Sequence, residues 1–161
     1  MSELDRDFKD ALASWASGVT VVAVADEGLL YGLTVSSFAS VSLDPPLVLV
    51  CLRNGNRMPG MVQSAGGFTV SILAQDQSDA SGYFASPGRE PTPGFNDAIP
   101  GGWTQAGRPI VGGALAWLCC ELRHTLAAGD HAIFVGEVVE AVSDAERQPL
   151  VYFRRGYRSL A

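Results

Sequence analysis

ALAWLCCELRHTL, residues 114–126, and HAIFVGEVVEAV, residues 131–142, flank the four residues Ala127-Ala128-Gly129-Asp130. Both runs are long, mostly apolar and free of Pro, and the linker holds a Gly and an Asp. The spacing predicts two long strands joined by a tight connection. Upstream, Val19 to Ala25 is β-branched and apolar, and Asp26-Glu27-Gly28 turns it into a second strand from Leu29 to about Thr34. Val41 to Leu43 continues in strand character, and Pro45-Pro46 punctuates before the apolar Leu47 to Leu52. Phe68 to Leu73 and Pro149 to Phe153 complete roughly seven strands, with Tyr157 to Leu160 as a tail.

Helical signals fall between and beside these strands. Leu4, Phe8, Ala11, Leu12 and Trp15 recur at helical spacing before Gly18, which predicts an amphipathic helix over Leu4 to Ser17. Pro59 suits the first turn of a short helix ending near Ala65. Asp76 to Phe84 reads as a polar surface helix. Helices sit at the edges rather than between every strand pair, which favours a mainly β antiparallel barrel with a few peripheral helices over a doubly wound sheet. Residues 85–109 are rich in Gly and Pro, and too long for a plain connection, so a functional loop or a dimer arm is expected there.

The 161 residues fit a single domain over 1–161. Hydrophobic residues make up 47% and charged ones only 17%, so apolar surface is expected and a homodimer is the default assembly. A net charge of −6 argues against nucleic acid. No run reaches a membrane span, and Met1 to Asp10 lacks the pattern of a signal peptide. Cys51, Cys119 and Cys120 form no disulfide framework, and the chain reads as cytoplasmic.

No dinucleotide-binding glycine fingerprint, phosphate loop or nucleophile elbow is present, and the cysteines lack zinc spacing, so no metal is expected. Three segments carry chemistry instead. Thr34-Val35-Ser36-Ser37 offers hydroxyls and amides to the rim of a flat heterocycle, or is simply a Ser/Thr-rich turn. Arg53-Asn54-Gly55-Asn56-Arg57, just before the Pro59 helix, combines amides and two guanidinium groups in a form that suits a phosphate monoester, or is a solvated basic loop. His131 follows Asp130 at a strand start, where a neutral imidazole can donate a hydrogen bond to a ring or carboxamide, or can be structural. Arg154, Arg155, Tyr157 and Arg158 make a basic, aromatic end that suits an adenine or diphosphate, a dimer contact, or solvent. Cys119 and Cys120 point to opposite faces of their strand and read as core residues.

Taken in order, several stretches resemble the short-chain flavin reductases that serve two-component monooxygenases. They are Phe8 to Leu12, Ala16 to Val22, Gly32 to Phe38, Ser40 to Val48, Gln75 to Gln77, Phe84-Ala85, Gly129 to His131, Gly136 to Val138 and Pro149 to Tyr152. The resemblance implies an FMN-binding split barrel of Greek-key type, a dimer with flavin sites near the subunit interface. It implies hydride transfer from NADH or NADPH to FMN or FAD, with reduced flavin supplied to a separate monooxygenase. A non-catalytic module that stores or senses flavin is the alternative. Carried over by position, Thr34, Val35, Ser36 and Ser37 would line the isoalloxazine, and Cys51 and Leu52 would meet it along the backbone. Arg53, Asn54, Asn56 and Arg57 would reach the ribityl chain and phosphate, with Ala65 and Phe68 closing that side. Arg89 would neighbour the phosphate, His131 would face the nicotinamide, and Tyr157 or Arg158 would hold the rest of the dinucleotide. Ser36 and Ser71 stand where many relatives carry Asn.

Overall fold

The computed structural model describes residues 1–160. Its elements are α1 (Glu3–Ala13), β1 (Ser17–Gly18), β2 (Thr20–Asp26), β3 (Leu29–Val35), β4 (Ala39–Leu43), β5 (Pro46–Arg53), α2 (Met58–Ala65), β6 (Gly67–Ile72), α3 (Ser78–Ala85), β7 (Gly101–Trp103), β8 (Pro109–Val111), β9 (Ala116–Ala128), β10 (His131–Ser143), β11 (Val151–Phe153) and β12 (Gly156–Arg158). Seven strands form one antiparallel sheet in the order β3-β2-β6-β9-β10-β5-β4. The mainly β architecture with few helices is the one expected. The hydrogen-bond ladder ends at β3 and β4, with β3 met beyond it by a single bridge from Leu30 to Thr92, so among the described residues it does not close into a barrel.

Turn chemistry sets the registers. Glu27 and Gly28 both take positive φ, 49° and 79°, which fits the tight β2–β3 hairpin to the twist of its strands. The long hairpin is tighter than expected: Ala128 already pairs with His131, so Gly129 and Asp130 alone make the connection. Gly66, at φ 69°, stops α2 in the left-handed conformation and donates back to Val62.

Two cores lie on opposite faces of the sheet. One gathers Val22, Val24, Tyr31, Val50, Leu52, Phe68, Val70, Cys120 and Phe134 around Met58 and Val62 of α2. Side chains of β3 and β5 thus meet in this core although three other strands and β2 separate them in the ladder, because the sheet curls. The other core gathers Val19, Val21, Leu73, Ala80, Phe84, Ile99, Val111 and Leu150. Each fully buried side chain of this size contributes about 1.5–3 kcal/mol.

Two expectations about helices need correcting. Helix α1 ends at Ala13 and buries none of its residues, although its apolar stripe is real. Helix α3 buries Ala80, Ser81 and Phe84 and is no mere surface helix. Residues 85–109, expected as a functional loop or a dimer arm, pack in part on their own chain: Ile99 and Thr104 are buried, Phe95 meets Phe84 edge to face, and β7 pairs with β8. The tail also folds, as the hairpin β11–β12. Cys119 and Cys120, on opposite faces of β9, are both fully buried, because this segment covers the outer face through the Thr104 hydroxyl on Cys119 Sγ at 3.6 Å.

Candidate active site

The rim of the sheet is built where β5 ends and β10 begins. Arg53 pairs with His131 across the ladder, Leu52 with Ala132 and Cys51 with Ile133. Beyond the ladder, Asn54 N–H donates to the Asp130 carbonyl at 2.9 Å and its side-chain amide to the Gly129 carbonyl at 3.3 Å. The cationic loop and the imidazole thus stand side by side.

The hydroxyl-bearing loop joins the same rim. Ser37 Oγ donates to the Cys51 carbonyl at 3.0 Å and accepts from Cys51 N–H at 3.1 Å. Cys51 has therefore given both main-chain groups to Ser37, which corrects the expectation that its backbone greets a ligand. Thr34 Oγ1 donates to the Ser81 carbonyl at 2.6 Å. Val35 is buried, and its carbonyl accepts from Thr20 Oγ1 at 2.5 Å. The side chain of Ser36 remains exposed. Thr34 and Ser36 line a cleft of about 220 Å³ with Val19, Ser81, Tyr152 and Tyr157. Asn56 and Arg57 line a different one of about 410 Å³, with Asp26, Glu27, Leu29 and Pro91. The two loops share a continuous rim through Ser37 and β5, rather than one enclosed cleft.

His131 Nδ1 lies 2.7 Å from Asp130 Oδ1. The hydrogen bond from His131, and then its charge, hold the Asp130 carboxyl below the usual carboxylate range. An ionised Asp130 selects the Nδ1–H tautomer, so a neutral His131 presents a lone pair at Nε2. In that tautomer Nε2 accepts, where a donor was expected.

Other expected residues divide between rim and interior. Arg53 is exposed and forms no ion pair among the described residues. Asn56 Oδ1 accepts from Met58 N–H at 2.9 Å and so caps the start of α2. Arg57 Nη2 pairs with Glu90 Oε2 at 2.6 Å. Ala65 is half-buried, and its carbonyl accepts from Arg108 Nη1 at 3.4 Å. Leu52 and Phe68 point into the core, so their side chains close no ligand surface. Arg89 is turned inward: its Nη2 donates to the carbonyls of Gly32 and Phe84, and its guanidinium lies over the rings of Tyr31, Tyr83 and Phe84. It holds the chain together there, in place of the phosphate contact expected of it. Tyr157 O–H donates to Ser81 Oγ at 2.7 Å and its ring meets Tyr152 edge to face, while Arg158 bonds back to the Tyr157 carbonyl. Ser71, buried, accepts from Val111 N–H at 3.0 Å and is structural.

Sequence reasoning missed Ser81 and Tyr152. Ala80, Tyr83 and Phe84 at helical spacing were the available sign that α3 has an inner face. Burial pushes Cys120 up to about 12 and Cys119 upward, which keeps both thiols protonated. Among the described residues, no cluster of three His, Cys, Asp or Glu could hold a metal, and no helix is long and apolar enough to cross a membrane.

Fold and rim together give a mainly β protein with hydroxyl, amide and guanidinium groups gathered at the ends of β3, β5 and β10. The chain belongs to the flavin reductase like domain family, whose model matches residues 12–161. It is 42% identical over 153 residues, 95% of each chain, to the reductase component of 4-hydroxyphenylacetate 3-monooxygenase of Thermus thermophilus. It is 39% identical over 156 residues, 95% of this chain and 85% of the relative, to an NADH-dependent flavin reductase of a Rhodococcus species. Among solved structures it is similar to the NADH:FAD oxidoreductase SgcE6 of Streptomyces globisporus, determined with NAD and FAD fragments, with a TM-score of 0.91, 31% identity and coverage of 100% and 96%.

Proposed function

We propose that the chain is an NAD(P)H-dependent flavin reductase that takes hydride from NADH or NADPH to FMN or FAD and supplies reduced flavin to a separate monooxygenase. One domain, working in the cytoplasm as a homodimer, completes the reading; the exposed apolar stripe of α1 gives a second copy something to cover. The observation that carries it is the Arg53–His131 register, which sets a free guanidinium beside an oriented imidazole on the rim that Ser37 extends to the Thr34 loop.

The groups present fit a flavin. Ser36 offers an exposed hydroxyl to the polar edge of an isoalloxazine, and Arg53, with Arg57 and the Asn54 and Asn56 amides, offers cations and donors to the ribityl phosphate. When both are bound, nicotinamide and flavin supply the hydride donor and acceptor themselves, so no protein nucleophile is required. The protein orients and stabilises. His131 Nε2 would accept from the nicotinamide carboxamide N–H, with Asp130 holding the imidazole in that tautomer. Loop amides and the Arg53 charge would favour the anionic reduced flavin. Because the Asp130 pKa is depressed, its hold on His131 is present above the ordinary carboxylate value of 3.8 and is lost as pH falls through the lowered one. Nicotinamide KM should therefore show no carboxylate titration between neutrality and pH 4.

Purified protein mixed with FMN and NADH should consume NADH, read as falling absorbance at 340 nm. Flavin binding without NADH consumption would replace this reading with a flavin-storing or flavin-sensing module. His131→Ala should raise nicotinamide KM roughly two- to tenfold with flavin affinity kept, the size of one lost hydrogen bond. An unchanged KM removes His131 from this role.

A further inference from the structure

Glu90 sits on the one guanidinium that both borders the 410 Å³ cleft and is already paired. Its Oε2 lies 2.6 Å from Arg57 Nη2, with both side chains more than half exposed. Exposed pairs of this kind are normally casual, because two long side chains must be held in one geometry. Here the backbone carrying Glu90 is pinned on both sides. Immediately before it, Arg89 donates to the Gly32 and Phe84 carbonyls and lies over three aromatic rings. Two residues after it, Thr92 exchanges main-chain hydrogen bonds with Leu30 of β3, at 2.6 and 3.1 Å. Pro91, between them, lines the cleft itself. The carboxylate is therefore delivered to Arg57 by an ordered segment, at low entropic cost.

Two further carboxylates belong to the same cleft. Asp26 and Glu27 line it, and Asp26 is held by the Ser64 hydroxyl at 2.9 Å. Arg57 is the single cation among its lining residues, and a carboxylate of the same chain occupies it.

We infer that Glu90 is a built-in competitor for the phosphate site: it occupies Arg57 when flavin is absent and must be displaced when a phosphorylated flavin binds. This rests on the reading that Arg57 meets the flavin phosphate. A phosphate monoester brings about −1.5 to −2 charges at neutral pH, so it meets both a taken partner and repulsion from Glu90. The consequence is a lowered affinity for the phosphorylated ligand alone. Glu90 makes the flavin exchangeable, as a reductase that hands its product to another protein requires, and it acts on the phosphate end without touching the ring.

The test is a titration of the full-length protein with FMN and with riboflavin, which lacks the phosphate, for four forms: wild type, Glu90→Gln, Arg57→Ala and the double variant. Glu90→Gln keeps the shape and removes the charge. It should tighten FMN about three- to fivefold, the scale of an exposed ion pair, and slow FMN release by a similar factor. Riboflavin should bind unchanged, and the gain should vanish in the Arg57→Ala background. An FMN affinity that is unchanged or weaker in Glu90→Gln overturns the proposal. So does an equal shift for both ligands, which would make Glu90 a structural pin. If Arg57→Ala weakens FMN and riboflavin alike, the phosphate reading itself falls, and the proposal falls with it. If Arg57→Ala selectively weakens FMN while Glu90→Gln does nothing, only the competitor role is lost.

Discussion

Helices α1 and α3 exchange the roles that their sequences suggest. The first carries a clean apolar stripe, Leu4, Phe8 and Leu12, behind a complete capping box at Ser2 and Asp5, and buries nothing. The second is short, starts without a side-chain cap and looks polar, yet it drives Phe84 into a core and ties Ser81 to both Thr34 and Tyr157. Periodicity reports that a stripe needs cover; it does not report which chain supplies it. Burial of α3 rests on partners brought together only by folding: Gly32, whose missing side chain leaves room for the Phe84 ring, and Phe95, which meets that ring edge to face.

The sharpest way to break this contrast is Phe84→Ala. A fully buried Phe at the junction of α3, β3 and the 85–109 segment should cost about 3–5 kcal/mol in urea unfolding, since the void cannot collapse around Gly32. A loss below about 1 kcal/mol would mean that α3 is the surface helix its sequence suggested.

What could be read in the sequence follows the same division. Strand ends, the Glu27-Gly28 turn and the Gly129-Asp130-His131 connection are local, and there the residues settle conformation within a few positions. Arg53 and His131 were each legible as candidates, but their pairing was not, because it depends on the register of β5 against β10. Arg89 was the most opaque. A cation in a Gly/Pro-rich stretch reads as solvated, and the rings of Tyr31, Tyr83 and Phe84 that receive it lie on two separate elements. Closure of the sheet was likewise invisible, since free edges are a matter of which strands pair.

A smaller effect sharpens the link between α3 and the cleft. Tyr157→Phe removes the hydroxyl that donates to the buried Ser81, and should cost about 1 kcal/mol. Combined with Ser81→Ala, the two losses should be less than additive, with a coupling of about 0.5–1.5 kcal/mol in a double-mutant cycle. Strict additivity would show that α3 and the β11–β12 hairpin merely lie near each other.

The smallest effect on the single chain is expected at α1. Among the described residues, its polar ties to the rest of the molecule are the Arg154 N–H on the Ala13 carbonyl at 2.9 Å and the exposed Arg155–Asp10 pair at 2.5 Å. Neither involves the stripe. Phe8, 59% exposed, and Leu12, 57% exposed, therefore contribute almost nothing to folding of one chain, and Phe8→Ser with Leu12→Ser should change unfolding free energy at high dilution by no more than about 0.5 kcal/mol. The same pair of changes should weaken self-association, read by sedimentation, because a second copy is what the stripe is left to meet. The two measurements separate the possibilities cleanly. A loss above 1 kcal/mol in dilute protein would place α1 on its own sheet in solution, whereas unchanged association together with unchanged stability would leave the stripe to a partner other than this chain.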